Sequence, residues 1–416
     1  MVAYQRRIVD DRLDELQPQL RAISIHGPKG VGKTATASRR AATIISLDRD
    51  ATRTRFAVAP DQMLSEADGP ILIDEWQRWP ESWDVVRHAV DGGAPRGRLI
   101  LAGSSAPRGA TVHSGAGRIV PFRLRPLSLA ERAIEEPTVS LASLLGSVVD
   151  ASGSTDLALS DYVREIVAGG FPGIRDEPED IREELLDAYV DNIVQREFPE
   201  QGYPVRRPET LKGWLAAYAA ATSTTTAYNA ILAAATPGQN DKPAKTTTIT
   251  YRDALSGLWL LDPVEPWTMG KNHFQRLAMA PKHQLADPAL AARLLGATAD
   301  SLLRGDDAQL LGLLFEHLVT MSIRTYAEAS RAQAFHLRTQ DARHEVDLVV
   351  ERRDGAVLAI EIKLATHPTD RDVRHLNWFR DQLGEKCLGG VVVTAGSDAY
   401  VRRDGIAVVP AALLGA

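Results

Sequence analysis

The sequence predicts an α/β multidomain fold, and three observations carry that prediction. Apolar strand-like runs alternate with helical stretches from residue 21 to residue 104, the pattern of a parallel sheet covered on both faces. A helix, polar loop, helix and apolar strand follow between 205 and 285. Beyond residue 310 a long helix gives way to strands with a helix among them. The 416 residues leave room for several domains of roughly 100–200 residues each. We place boundaries at 1–150, 151–204, 205–300 and 301–416.

Residues 1–20 carry Leu13, Leu16 and Leu20 at helical spacing and read as an N-terminal helix. Residues 21–26 read as a short buried strand that runs straight into Gly27-Pro28-Lys29-Gly30-Val31-Gly32-Lys33-Thr34. A small-residue helix over 36–42 and a strand over 43–47 come next. Residues 70–75 and 98–104 read as further buried strands. Residues 161–200 read as helical, interrupted at Gly169-Gly170-Phe171-Pro172. In the middle segment, helices are expected over 210–221 and 249–255 and a strand over 257–261. The last part reads as helix 310–326, strands 334–338, 345–352, 357–363 and 390–393, and helix 370–383.

Composition excludes several classes. Hydrophobic residues make up 44% and charged residues 25% of the chain, ordinary for a globular protein and unlike a disordered or fibrous one. The net charge of -6 excludes a polycation that coats nucleic acid by bulk charge, so any such site must be a local patch. The single cysteine, Cys387, excludes an intrachain disulfide and a zinc site built on several cysteines. It agrees with a reducing, cytoplasmic setting. No apolar run reaches ~18 residues, so no membrane helix is expected. The N-terminus soon becomes acidic and does not read as a signal peptide.

Residues 27–34 match the phosphate-loop spacing G-x-x-x-x-G-K-[ST]. Glycines let the backbone turn and aim its N–H groups at phosphate oxygens. The following helix N-terminus favours an anion. Lys33 should reach the outer phosphates of ATP and Thr34 should bind Mg²⁺. Asp74, ending the run Ile71-Leu72-Ile73-Asp74-Glu75, would hold the same Mg²⁺ directly or through water, and Glu75 would polarise the attacking water. Ser104, ending another strand, would contact the water or the terminal phosphate if its strand lies between the other two. Arg118, or an arginine of the run Arg123-Leu124-Arg125, would stabilise charge within its own chain or on a neighbouring subunit.

These motifs, with Trp76-Gln77-Arg78-Trp79-Pro80 after Glu75 and Leu124-Arg125-Pro126-Leu127-Ser128, resemble prokaryotic AAA+-type ATPases. More narrowly they resemble those fused to a C-terminal domain called DUF4143, a pattern that Gly169-Gly170-Phe171-Pro172 and Asp287-Pro288-Ala289-Leu290 also fit. Phe198-Pro199-Glu200 departs from the Arg-Asp-Ile expected there, and the loop 236–248 looks longer than usual. The resemblance implies a P-loop AAA+-type parallel sheet with a helical lid. It also implies a homo-oligomer, a ring or other assembly such as a hexamer, with ATP at subunit interfaces. It further implies work on DNA, branched or junction DNA included.

The middle segment has the texture of a winged helix. Between 205 and 285 nine bases (Arg206, Arg207, Lys212, Lys242, Lys245, Arg252, Lys271, Arg276 and Lys282) face five acids (Glu209, Asp241, Asp253, Asp262 and Glu265), a balance of +4 within a chain of -6. Lys242, Lys245, Thr246 to Thr248 and Arg252 sit just before and on the candidate recognition helix, where bases and hydroxyls can meet phosphate. At the C-terminal end, Asp354-Gly355 between alternating apolar runs marks a hairpin. Folding it brings Asp347 near Glu361 and Lys363, with Glu316 on the preceding helix. Two or three carboxylates would then hold a second Mg²⁺, with Lys363 orienting water. A helical Glu, an Asp and Glu-x-Lys look like the PD-(D/E)xK, restriction-endonuclease-like pattern. Three readings stay open: an Mg²⁺-dependent ATPase that binds or remodels DNA, an ATP-gated switch or scaffold with an inactive nuclease-like domain, and an ATP-regulated nuclease.

Overall fold

Ile23 and Ile25, Ile71 and Ile73, and Leu99 and Leu101 each sit two residues apart, so each pair points to one face of a strand. In the computed structural model these runs form a five-stranded parallel sheet. The structure describes residues 4–106, 116–146, 151–203, 207–235, 245–269, 279–305, 307–339 and 343–416. Its strands are β1 (Ala22–His26), β2 (Thr43–Ser46), β3 (Ile71–Asp74), β4 (Leu99–Gly103) and β5 (Ile119–Arg123), in the order β2-β3-β4-β1-β5. One face buries Ile71, Ile73, Leu99 and Leu101 against Phe56, Trp76, Trp83 and Val86. These come in part from the helices Asp50–Val58 and Ser82–Asp91. The N-terminal helix is shorter than expected, Ile8–Leu16, and the helix after the phosphate loop spans only Lys33–Ser38.

Two compact units make up the chain. The first holds Met1–Pro126 together with Phe171–Gly173 and Leu255–Leu260. The second holds Leu127–Gly170, Ile174–Ala254 and Leu261–Ala416. The first unit therefore ends its main run earlier than the boundary read at 150.

In the second unit, short strands β6 (Val139–Ser140) and β7 (Gly153–Ser154) precede the helices Leu159–Ala168 and Glu179–Asn192. Asp287 caps the helix Pro288–Leu294, taking a hydrogen bond from the Ala289 N–H at 2.8 Å. Its other oxygen accepts from the Gly170 N–H at 2.7 Å. The two short motifs at 169–172 and 287–290 thus share one buried carboxyl, and a Cβ at Gly169 would lie 2.8 Å from it.

The middle segment contains the helices Pro208–Ala220, Tyr228–Ala234 and Lys245–Gly257. The strand expected over 257–261 is not there. Gly257 ends the helix, and Trp259 takes a left-handed turn at φ 61°. The strand-like pairing comes later, as antiparallel bridges of Leu261 with Leu285 and of Val264 with Lys282.

The helix Ala308–Ala329 leads into β8 (Gln333–Arg338), β9 (Glu345–Glu351), β10 (Val357–Lys363), β11 (Cys387–Thr394), β12 (Asp398–Val401), β13 (Ala407–Pro410) and β14 (Leu414–Gly415). Seven strands share a mixed sheet in the order β7-β12-β13-β11-β10-β9-β8, and β14 pairs with β6. The expected hairpin is present. β9 and β10 run antiparallel, Gly355 sits at φ 82°, and its N–H reaches Arg352 O at 3.0 Å. The helix Arg374–Leu383 lays Leu376 and Phe379 on one face of this sheet.

Candidate functional site

The phosphate loop leaves the C-terminal end of β1. Gly30 (φ 79°) and Gly32 (φ 97°) adopt left-handed backbone, which L-residues with a Cβ resist. Gly27 lies so close to its neighbour that a Cβ there would stand 2.0 Å from Leu124 O. Val31 is fully buried and anchors the loop, while Pro28 is buried and Lys29 exposed. The Lys33 ammonium is buried and donates to Gly27 O at 3.1 Å and Pro28 O at 2.8 Å. The Thr34 hydroxyl lies 3.0 Å from both carboxylate oxygens of Asp74.

Asp74 ends β3, and Ser104 directly follows β4. β4 lies between β1 and β3, the arrangement that puts Ser104 between the phosphate loop and the acids. Burial pushes the Asp74 carboxyl up to about 6, aided by Glu75 and Asp48 and opposed by the Thr34 hydrogen bond. A carboxyl strained this way is stabilised as an anion by a nearby cation. Glu75 turns away from the strand at φ 52°. Gln77, missed in the sequence, donates through Nε2 to Glu75 Oε2 at 2.6 Å and to Ser104 Oγ at 3.1 Å. Gly103 makes room for it, since a Cβ there would meet Trp76 Nε1 at 2.3 Å and Gln77 Oε1 at 2.5 Å. A hydroxyl and a carboxylate at the loop's mouth form a hard-oxygen pair suited to Mg²⁺. The glycine cradle with a buried ammonium suits a nucleotide's phosphates.

Three other residues, Trp259, His26 and Arg7, build this site without any motif to reveal them. Trp259 stacks on His26, ring centroids 4.3 Å apart and 10° from parallel, and the Arg123 guanidinium lies 4.2 Å from the indole centre. Burial, then Arg123, Arg125 and Lys33, push the His26 ring down to about 3, so it is neutral. Arg7 donates to Val31 O at 2.9 Å and to Arg125 O at 2.7 Å, tying the N-terminal segment to the loop.

Arg118 is a correction. It precedes β5, at the end of the sheet opposite the phosphate loop, because His26 pairs in register with Arg123. A five-residue strand separates these ends by roughly 15 Å. The Arg118 guanidinium instead pairs with Asp91 at 2.7 Å. It does not serve the loop of its own chain.

In the second unit the structure brings Glu316, Asp347, Glu361 and Lys363 together around two ammonium groups. It adds a residue that the sequence placed on a basic surface. Lys282 is buried, and its ammonium lies 2.6 Å from Glu316 Oε1, 3.4 Å from Asp347 Oδ1 and 4.0 Å from Glu345 Oε1. Lys363 pairs with Glu361 at 2.7 Å and Asp347 at 3.6 Å. Asp347 Oδ2 also accepts from the Ile362 N–H at 2.9 Å. Burial opposes the charge on Lys282, but Glu316 and Asp347 outweigh it and hold the ammonium above the usual lysine range. Burial likewise works against Asp347, whose carboxyl Lys282 and Lys363 nonetheless hold down. Burial and the Asp347 charge push Glu361 well up. Among the described residues no three or more His, Cys, Asp and Glu side chains gather so as to hold a metal ion. The carboxylates meet around ammonium groups instead.

Of the middle segment's bases, Arg206, Lys242, Lys271 and Arg276 lie outside the described residues. Arg252 lies over the Tyr228 ring at 4.9 Å. Lys282 does not belong to any surface there. No helix among the described residues is long and apolar enough to cross a membrane.

Comparison with known proteins finds three family models along the chain. A family model described as "AAA domain" matches residues 19–133. Two described as domains of unknown function match 159–301 (DUF8612) and 311–414 (DUF4143). Uncharacterized proteins of Mycobacterium bovis and Mycobacterium tuberculosis are each 27% identical over 380 residues, 88% of this chain and 75% of theirs. Among solved structures, the Walker-type ATPase PABY2304 of Pyrococcus abyssi aligns at TM-score 0.39 and 12% identity, over 70% of this chain and 96% of that one. The Aeropyrum pernix ORC2 protein aligns at 0.30 and 16%, over 72% and 91%. The chain thus carries an AAA-type ATPase domain, built on a parallel sheet with a phosphate loop, and a C-terminal DUF4143 domain.

Proposed function

We propose that this protein is an Mg²⁺-dependent ATP hydrolase whose turnover is coupled to DNA binding or remodelling. The observation that carries the hydrolase reading is the Thr34 hydroxyl set on Asp74 at the mouth of the glycine loop. In this reading Lys33 and the backbone N–H groups of residues 29–34 hold the phosphates, and Thr34 and Asp74 hold Mg²⁺. The metal, when bound, neutralises charge on the phosphates. Glu75 takes the proton of the attacking water, and Gln77 fixes its carboxylate while reaching the Ser104 hydroxyl. Trp259 and Arg123 fix His26, the residue from which the loop springs.

The DNA part of this reading is supported by the helix Lys245–Gly257 that follows two others in a winged-helix order, and by the positive balance of the segment around it. Removing Lys282 from that balance leaves +3 over the same residues, eight bases against five acids. A second reading, an ATP-gated switch that assembles with itself and regulates a partner, is favoured by the ammonium-filled carboxylate pocket, which argues against a cutting domain.

The test is the steady-state ATPase rate with Mg²⁺, alone and with single-stranded, duplex and four-way-junction DNA, with Glu75→Gln as the blank. Stimulation by one DNA form supports coupling and names the substrate. Turnover indifferent to all three removes the DNA role and leaves the switch. No turnover above the blank removes the hydrolase reading.

A further inference from the structure

The C-terminal pocket is built around a cation that belongs to the protein. Lys282 is held by its own backbone in both directions: its N–H donates to Val264 O, and the Val264 N–H donates to Lys282 O, each at 2.9 Å. The side chain is thereby aimed inward, at 1% exposure. Its Nζ has Glu316 Oε1 at 2.6 Å, Asp347 Oδ1 at 3.4 Å, Asp347 O at 3.5 Å and Glu345 Oε1 at 4.0 Å. These oxygens come from a helix, Ala308–Ala329, and a strand, β9. A hard divalent cation wants carboxylate and carbonyl oxygens of this kind around it. Glu361, on the adjoining strand, has Oε2 taken by Lys363 at 2.7 Å and shares a side-chain hydrogen bond with Asp347. The pocket therefore sets carboxylate and carbonyl oxygens around an ammonium and, with it in place, gathers no metal-holding cluster of side chains among the described residues.

We propose that Lys282 is the resident cation of this pocket, so that the native protein binds no divalent metal there and does not cut nucleic acid through it, and that removing the ammonium turns the same carboxylates into a divalent-cation site. The argument is one of exclusion and charge. An ammonium in direct contact with Glu316 and Asp347 already neutralises the charge that a metal would neutralise, and it occupies the space between them. Like charges repel strongly where water is excluded, so a metal bound between Glu316 and Asp347 would have to displace the Lys282 ammonium. This inference does not depend on the ATP reading, because no residue of the nucleotide loop takes part.

The experiment titrates nucleotide-free full-length protein with Mn²⁺ and follows free Mn²⁺ by electron paramagnetic resonance. Wild type, Asp347→Asn, Lys282→Ala and Lys282→Ala/Asp347→Asn are compared. The expected result is no saturable site in wild type that Asp347→Asn abolishes, and one new site in Lys282→Ala, at least ~10-fold tighter than any wild-type binding and lost in the double variant. A saturable wild-type site lost in Asp347→Asn overturns the proposal, as does Mg²⁺- or Mn²⁺-dependent DNA cleavage lost in the same variant. Should Lys282→Ala fail to fold, Lys282→Ala/Glu316→Gln removes one buried negative charge together with the ammonium. A new Mn²⁺ site in that variant supports the proposal, and none in either folded variant overturns it.

Discussion

Two buried lysines tell the two halves of this molecule apart. Lys33, in the phosphate loop, donates to the carbonyls of Gly27 and Pro28. Lys282, in the C-terminal pocket, sits on the carboxylates of Glu316 and Asp347. The first meets carbonyl acceptors, which carry no full charge, so a phosphate anion attracts the same ammonium more strongly. The second already has its anions. The acids divide differently: burial raises Asp74 and also Glu316 and Glu361, and only Asp347 is held down against its burial, by Lys282 and Lys363. A lysine poised for a ligand is held by backbone; a lysine that completes a structure is held by acids.

Several changes break or sharpen that contrast. The largest effect is expected at the ligand-poised lysine: Lys33→Ala should lower kcat by about 10²–10³, the scale for losing one charge-stabilising donor, with an unchanged unfolding curve. A rate within a few fold of wild type would place the chemistry elsewhere. Lys282→Met should do the reverse. It strands buried carboxylates, and urea unfolding should show a loss of about 3–5 kcal/mol, the usual result of removing one partner of a buried ion pair. A loss under ~1 kcal/mol would mean the pocket relaxes and takes in water.

A smaller effect follows acidification. Burial, then Lys282, pushes the His336 ring down to about 3 from its ordinary 6.5. The folded state therefore refuses a proton that the unfolded state accepts below 6.5. The stability from neutral His336 is complete above that pH and is lost as the pH falls from there toward 3, with a slope of about 1.4 kcal/mol per pH unit from this one group. His336→Phe should flatten the fall in thermal midpoint between pH 6.5 and 5.5; an unchanged slope would assign it to other groups. The smallest effect is expected at Arg118, paired with Asp91 away from the phosphate loop. Arg118→Ala should change kcat less than ~2-fold, the scale of an exposed ion pair. A fall of tenfold or more, confined to concentrations where the protein self-associates, would show the arginine acting on a neighbouring subunit.

What the sequence revealed depended on contiguity. Gly27 to Thr34 form one uninterrupted run whose spacing is the chemistry, so the loop could be read directly. Asp74 and Glu75 followed because an apolar run ends on them. The hairpin over 345–363 was readable because Asp354-Gly355 demands a turn and Glu361 and Lys363 share a face by period 2. Lys282 was misplaced because nothing local distinguishes a buried lysine from an exposed one, and its partners lie 34 and 65 positions away. Gln77 was passed over because it lies among tryptophans that read as packing. Trp259 was assigned to a strand from its apolar neighbours, whereas its φ of 61° puts it in a turn. Whether Arg118 faces its own chain's loop was not legible, because an arginine beside a strand does not say at which end of the sheet it stands. Only the register of β1 with β5 settles that.

The indole on His26 has a consequence for heredity. The unit that holds the phosphate loop is completed by Phe171–Gly173 and Leu255–Leu260, encoded well downstream of its main stretch. A gene cut short after residue 126 would keep every recognisable nucleotide motif and yet yield a polypeptide lacking Trp259, with one side of that ring bare. Shuffling this ATPase onto another gene as a single cassette would fail in the same way, so the parts of this chain are expected to be inherited together.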